Sequence, residues 1–256
     1  MRFEVNPKEK LYFILMLVIS LLIYVGLVFS IIGIFYLFLF GMMGFVSHGL
    51  YVGHIRGNGI RVSNKQFPEI YQTAEQLSKQ LGLERTPSIY ILEAGGLLNA
   101  FATRFLGRDF VIIYSDVLEL AYEEGEAAVR FVVAHELAHL KRKHLKWRYL
   151  LSPAMFIPFL GSAYSRACEY TCDQIAVQLA PDGAIFGLLV LGVGKKMYKK
   201  INLEEIINQS KEERGFWIWL SEVSSTHPNL TKRLSKVSSD RLLVSNNKYL
   251  SSSLNI

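Results

Sequence analysis

The stretch from Leu11 to Ile55 contains no lysine, arginine, aspartate or glutamate. A helix of about 20 apolar residues crosses a bilayer, so this run is long enough for two crossings. Its natural break lies near Ser30 to Gly33, and a tight hairpin there predicts transmembrane helices at about residues 11–30 and 33–53. A cleavable signal peptide is disfavoured, because its apolar part is much shorter than this run.

Basic residues flank the uncharged run on both sides. Since positive flanks remain cytoplasmic, we predict that the N terminus and the main domain both face the cytoplasm, in a multi-pass protein of the inner cell membrane. One long tilted helix is the alternative, and it leaves one basic flank on the wrong side. The net charge of +6 then indicates proximity to the anionic lipid bilayer rather than nucleic-acid binding. The flanking residues are Arg2, Lys8 and Lys10 before the run and Arg56, Arg61 and Lys65 after it.

Beyond the anchor, the residue pattern predicts helices and a small sheet. Phe67–Leu81 has helical periodicity, and β-like runs follow at Ser88–Leu92 and Asp109–Tyr114. Residues 149–164 are apolar but short for a crossing and contain two prolines, which favours a membrane-dipping or core-packed hairpin over a third span. A strong helix is predicted over Ser165–Ala180.

We predict three regions along the chain. They are a membrane anchor at residues 1–56, a catalytic domain at 57–244, and a flexible tail at 245–256 that is rich in serine and asparagine. Within the domain, the aromatic segment FWIWL at Phe216–Leu220 is typical either of a core helix or of an interfacial membrane contact.

The segment FVVAHELAHLKRKH, residues 131–144, predicts a zinc site. On a helix, residues four apart are offset by about 40° and about 6 Å, so His135 and His139 project side by side, as two imidazoles must to share one zinc. Glu136 lies about 100° round, where its carboxylate can take a proton from water. A histidine pair on an ordinary surface helix is the alternative. His144 is discounted as a ligand, because four neighbouring cations oppose metal binding: Lys141, Arg142, Lys143 and Lys146.

A zinc site needs a third protein ligand, and two architectures compete for it. One requires glycine three residues and histidine six residues after the second histidine, but Arg142 and Leu145 stand there. The other takes a glutamate from a later helix, for which Glu169 in SRACEYTCD is the candidate. Asp173 lies on the same helical face and could hold the second nitrogen of a ligand histidine. A solvated helical pair is the alternative for these two carboxylates.

Three motifs in this order, HELAHLKRKH, SRACEYTCD and STHPNLTKRL, resemble the integral-membrane zinc peptidases of the HtpX and CAAX prenyl protease kind. The resemblance covers about Gln66 to Leu234. It implies an α+β fold, with a mainly helical gluzincin-type catalytic domain and a small β-sheet, preceded by the N-terminal transmembrane helical hairpin. It also implies one Zn²⁺ per chain, with a glutamate as third ligand.

The segment LNAFA, residues 98–102, is similar to the edge strand of that family. The resemblance implies that Asn99, Ala100 and Phe101 bind an extended substrate, whose backbone would pair with the strand. A plain strand-and-turn segment is the alternative.

His227-Pro228, followed by Arg233, resembles the terminal His-Pro…Arg motif of the family. It implies a catalytic role for His227, as a donor to the developing oxyanion. Arg233 would bind substrate or would form a structural ion pair with the helix of Glu169 and Asp173. The two cysteines, Cys168 and Cys172, are expected to be reduced and to pack as small hydrophobic residues.

These observations predict a membrane-anchored zinc metalloendopeptidase that acts on polypeptides, namely membrane or misfolded proteins, in quality control. A non-enzymatic scaffold or regulator with a structural zinc is the first alternative, but such a site has no use for Glu136. A transporter is the second, and it is disfavoured because the spans are few and carry no charged residue.

Overall fold

The computed structural model describes residues 3–95, 99–124, 126–193, 197 and 200–253. Helices dominate it, and a single small sheet of mixed topology lies among the described residues, which confirms the predicted fold class. The helices are α1 (Pro7–Val28), α2 (Ile31–Asn58), α3 (Pro68–Leu81), α4 (Ser115–Glu124), α5 (Ala127–Lys141), α6 (His144–Leu150), α7 (Ser152–Met155), α8 (Leu160–Leu179), α9 (Ala184–Val193), α10 (Leu203–Glu212), α11 (Phe216–Ser224) and α12 (Leu230–Ser253). The strands are β1 (Ile60–Arg61), β2 (Ser88–Leu92), β3 (Ala100–Phe105) and β4 (Arg108–Tyr114).

The first two helices form the predicted hairpin. The chain turns at Phe29 and Ser30, and the Ser30 hydroxyl accepts a hydrogen bond from the Gly33 amide at 3.2 Å, which starts α2. With mean hydropathies of 2.8 and 1.9, both helices are long and apolar enough to cross a membrane, and little of either is buried against protein. Two such helices suggest a membrane anchor.

The first helix also packs against the rest of the chain. Met16 of α1 is fully buried in a small apolar cluster with Leu151, Ala154 and Tyr164. Residues 149–164 therefore form α6, α7 and the start of α8 along the side of α1. With 7 and 4 residues, α6 and α7 are too short to cross a bilayer. The segment is a packed turn rather than a third span.

The sheet has the strand order β1-β2-β4-β3, in which only the β2–β4 pair is parallel. Successive strand residues face opposite sides. Ile89 and Val111 face the main core, whereas Tyr90 and Ile112 pack against α2. Among the described residues, β3 pairs with β4 alone and thus lies at an edge.

Helix α5 lies at the centre of the main core and is buried on almost every side. Helices α3, α8, α9 and the strand β3 surround it. The turn before α9 approaches it so closely that a Cβ atom on Gly183 would lie 1.7 Å from the Ala127 carbonyl oxygen. Because α5 is so enclosed, each of its buried polar side chains must find a partner inside the protein.

The C-terminal helices decide between the two interpretations of the segment FWIWL. The segment FWIWL begins α11, in which no residue is buried, and the Trp217 side chain is 77% exposed. A core helix is therefore excluded for this segment. Helix α12 continues to Ser253 and overlaps with the expected tail. The division into anchor, domain and tail stays a prediction.

Candidate metal centre and active site

Helices α5 and α8 bring three metal-ligating side chains together. The Nε2 atoms of His135 and His139 are 3.3 Å apart. Glu169 of α8 faces both rings, with Oε2 3.4 Å from the Nε2 of His135 and Oε1 3.3 Å from the Nε2 of His139. The predicted ligand set thus converges on one point, as the spacing of the two histidines and the later helix led us to expect.

These distances fit a small metal ion. In a tetrahedral site, bonds of about 2.0–2.2 Å to nitrogen and oxygen put neighbouring ligand atoms about 3.3–3.5 Å apart. The three donor residues line a cleft of about 660 Å³, from which a metal ion held by them would be open to a further ligand. Three protein ligands with an open fourth position are typical of catalytic rather than structural zinc.

The charges of the site also fit a cation. Burial would raise the pKa of Glu169, but hydrogen bonds from His135 and His139 hold it well below its usual range. Burial would lower the pKa of His135, but the carboxylates of Asp173 and Glu169 raise it to about 10. A metal ion that binds here therefore displaces a proton and takes over its electrostatic role.

One ligand histidine is held by a carboxylate and an arginine. Oδ1 of Asp173 lies 2.9 Å from Nδ1 of His135, so this predicted neighbour is where the sequence placed it. Arg233 of α12 donates to both Asp173 oxygens, at 2.8 and 2.7 Å. The burial of Asp173 would raise its pKa, but Arg233 lowers it. The position of Arg233 favours the structural ion pair over contact with substrate.

The candidate base lies beside the donors. Glu136 is buried, and burial raises the pKa of its carboxyl group, against the influence of His135 and His139. The backbone amide of Ala102 in β3 donates to this carboxylate. A buried carboxylate with a raised pKa next to a metal-ligand set has the properties of a general base.

The predicted substrate strand borders the cleft. Asn99, Ala100 and Phe101 all line it, and Leu98 lies outside the described residues. The Asn99 side chain accepts a hydrogen bond from the Ala100 amide at 2.9 Å, so its oxygen is engaged locally. The far end of the strand is fixed by the anchor, where His48 Nε2 lies 3.1 Å from the Arg104 carbonyl oxygen.

The remaining predicted residue lies at the mouth of the cleft. His227 is exposed, and its Nε2 is 3.8 Å from Oε1 of Glu169. This places an imidazole close to the donors without a direct hydrogen bond to them. Of the predicted site residues, all but Asp173 line the cleft, and Arg233 does so while it pairs with Asp173 behind it.

Sequence reasoning missed a second group of residues. His144 is buried, and its Nδ1 lies 3.0 Å from Nδ1 of the other ligand histidine, His139. Its Nε2 lies 3.1 Å from Oε1 of Glu9 in α1, which also accepts from Arg142. The signal for Glu9 was its position two residues before the uncharged run, because a carboxylate at the end of an apolar helix needs a partner.

Comparison with known proteins agrees with this geometry. A sequence model of peptidase family M48 matches residues 64–159 and 146–241, which together extend over more than half of the chain. The chain belongs to peptidase family M48. Membership implies a metallopeptidase that uses a metal ion, and the matched residues include all three donors and Glu136. The resemblance inferred from the three motifs is thus confirmed at the level of the family.

One curated relative supports the assignment. The chain is 23% identical over 174 residues to the plastoglobule-localized metallopeptidase 48 of Arabidopsis thaliana, a chloroplastic protein. The aligned part covers 60% of this chain and 49% of the relative. The chain thus spans about half the length of the M48 relative that it matches.

Proposed function

We propose that this M48 protein is a membrane-anchored zinc endopeptidase that hydrolyses polypeptide chains. The observation that carries the proposal is the triangle of donor atoms with sides of 3.3–3.4 Å, next to the buried Glu136. The triangle suits one metal ion, and the adjacent base has no purpose in a purely structural site.

The chain's own residues divide the reaction between them. One zinc ion, held by His135, His139 and Glu169, would supply the Lewis acidity that amide hydrolysis needs. The Glu136 carboxylate accepts a proton from the attacking water and passes it to the leaving amine. His227 at the cleft mouth donates to the carbonyl oxygen as negative charge develops on it.

The substrate would lie extended along the outer edge of β3. Asn99, Ala100 and Phe101 border the cleft there, and a strand edge offers backbone donors and acceptors to a peptide. The edge is partly engaged, because Ala102 donates to Glu136 and Arg104 accepts from Tyr149. A substrate backbone can thus pair with only a short part of β3, close to the metal-donor residues.

The membrane determines which polypeptides reach the cleft. We propose that α1 and α2 cross the inner cell membrane and that the domain faces the cytoplasm, in line with the basic flanks. Alongside α1, the segment 149–159 exposes Phe156 at 86%, and this apolar surface suits contact with lipid. Membrane proteins and misfolded chains at the bilayer would be the substrates, in a quality-control role.

The test is proteolysis of an unfolded membrane protein by the purified full chain in detergent. We expect Glu136→Gln to reduce cleavage by at least about 100-fold while zinc content is unchanged, and a chelator to abolish the cleavage by wild type. Glu84→Gln, on an exposed turn, is the matched control and should cleave like wild type. Equal cleavage by wild type and Glu136→Gln would refute the mechanism. Bound zinc without proteolysis would favour the structural scaffold.

A further inference from the structure

Lys143 has a left-handed backbone conformation that directs the side chain of His144 into the protein. On a continued helix, His144 would lie about 140° round from His139 and would point away from the site. Helix α5 ends at Lys141, and Lys143 then adopts φ 60°, so that α6 begins at His144 in a new direction. The His144 ring is consequently 7% exposed, and its Nδ1 reaches the Nδ1 of His139 at 3.0 Å.

The hydrogen-bond directions are consistent along the path that runs from His139 through His144 to Glu9. The Nε2 of His139 faces the other donors, so its proton belongs on Nδ1. His144 must then accept at Nδ1 and carry its own proton on Nε2, which lies 3.1 Å from the Glu9 carboxylate. The path runs from His139 through His144 to Glu9 without a mismatch of donor and acceptor.

The carboxylate at the end of the path is firmly held. Glu9 is 3% exposed, and Arg142 donates to its Oε1 from Nε at 3.1 Å and from Nη2 at 2.8 Å. The start of α1 is fixed on α8, since the Asn6 amide donates to Thr171 Oγ1 at 3.1 Å. Glu9 thus has a position that is set by the packing of α1 on the domain.

A second metal site is the other interpretation of these residues. Glu9, His144 and Cys168 have atoms close enough for one, as do His139, His144 and Cys172. Two features oppose it. The positive charge of Arg142, which pairs with Glu9 at 2.8 Å, opposes a second cation there, and burial raises the pKa of both thiols, so that neither cysteine offers the thiolate that metals prefer.

We propose that Glu9 and His144 are positioning residues for the metal centre. Glu9, carried by α1, holds His144, and His144 holds the ring of His139 through its Nδ1. The anchor helix is thereby part of the active site, and its seating on the domain sets the orientation of one metal ligand. The inference rests on the proposed function only in that His139 binds a metal.

The test compares metal binding by full-length variants in detergent. His144→Leu removes the acceptor and should weaken zinc binding about 10- to 100-fold, measured by competition with a chelator. His144→Asn places an amide oxygen near the position of Nδ1 and should recover most of that loss. Glu9→Gln should give a smaller loss, and Glu4→Gln should give none, because the exposed Glu4 carboxylate accepts from Gln174 at 3.2 Å and has no place in the path to His139.

Two further measurements separate positioning from general stability. The visible spectrum of the Co²⁺-substituted protein should change in His144→Leu and return toward wild type in His144→Asn. In a peptide-cleavage assay, kcat should fall while KM is retained, because the substrate strand is untouched. Thermal unfolding of each variant shows that it is folded.

The outcomes are decisive. Folded variants of both residues with wild-type zinc affinity and Co²⁺ spectrum would overturn the proposal. So would two tightly bound metal ions in wild type of which His144→Leu loses one, because these residues would then be ligands. If wild type binds zinc without proteolysis, yet His144→Leu still weakens zinc binding, the proposed function fails and the positioning role stands.

Discussion

The two histidines of α5 present equivalent nitrogens to the metal-donor triangle, but opposite ends of the chain support them. His135 is held by Asp173 of α8, which Arg233 of α12 neutralises. His139 contacts His144, which lies against Glu9 of α1. Each path ends in a carboxylate that is paired with an arginine. The carboxylate of Asp173 contacts His135 directly, whereas that of Glu9 reaches His139 only through His144. The first path connects α5, α8 and α12, and the second reaches the apolar helix α1.

The two paths differ in their access to water. The Arg233 side chain is 12% exposed, whereas Arg142 at the end of the other path is 35% exposed. An arginine that loses its carboxylate partner must be solvated by water instead. A deeply buried arginine cannot reach water, so the loss of its partner costs more free energy. The first path therefore contributes more to folding, while both are expected to contribute to metal binding.

The largest expected effect comes from removing Asp173, the carboxylate of the path with the more buried arginine. Asp173→Ala removes the closest partner of Arg233, which keeps a longer contact of 3.6 Å to Glu169, and should lower the free energy of unfolding by about 3–5 kcal/mol. Glu9→Ala should lower it by less than half as much, because Arg142 can turn toward solvent. Chemical denaturation of the two full-length variants in the same detergent measures both values. Equal losses would show that the exposure of the arginine does not matter.

An intermediate effect tests whether the two paths act independently on the metal. Asp173→Asn should weaken zinc binding about 10- to 100-fold while preserving side-chain volume. Combined with Glu9→Gln, the losses in binding free energy should add, since the two changes act on different histidines. Glu9→Gln combined with His144→Leu should not add, because without His144 the glutamate has nothing to hold. Chelator competition on the single and double variants gives these coupling energies, and additivity in both pairs would contradict a linear path through His144.

The smallest expected effect concerns the thiol beside the second path. Cys172 Sγ lies 3.8 Å from Nδ1 of His144, farther than the His139 nitrogen, and it is a weak hydrogen-bonding group. Cys172→Ala should change zinc affinity by less than about threefold and stability by about 1 kcal/mol. A loss of affinity as large as that of His144→Leu would instead make the thiol part of the metal site.

Local patterns were sufficient for one path and insufficient for the other. The spacing of His135 and His139 and the four-residue step from Glu169 to Asp173 are properties of single helices, so helix geometry predicted them. The two apolar helices followed in the same way from the length of an uncharged run. Strand β3 could be placed at an edge only through the family resemblance, because edge position depends on partners elsewhere in the chain.

The path to Glu9 could not be found in this way, for two physical reasons. The basic neighbours of His144 argued only against metal binding, and the sequence does not reveal that the left-handed Lys143 turns the ring inward. In addition, Glu9 precedes His144 by 135 residues, and no periodicity relates positions so far apart. Only the packing of α1 on α8 brings them together.

The separation of the two paths has a consequence for biosynthesis. Glu9 emerges from the ribosome before the candidate metal-donor residues, whereas Arg233 emerges after them. We expect a nascent chain that stops before α12 to carry an incompletely held His135, and a chain whose first helix has not docked to carry an incompletely held His139. Both histidines would then be fully held only after Arg233 has been synthesised and α1 has docked on the rest of the protein.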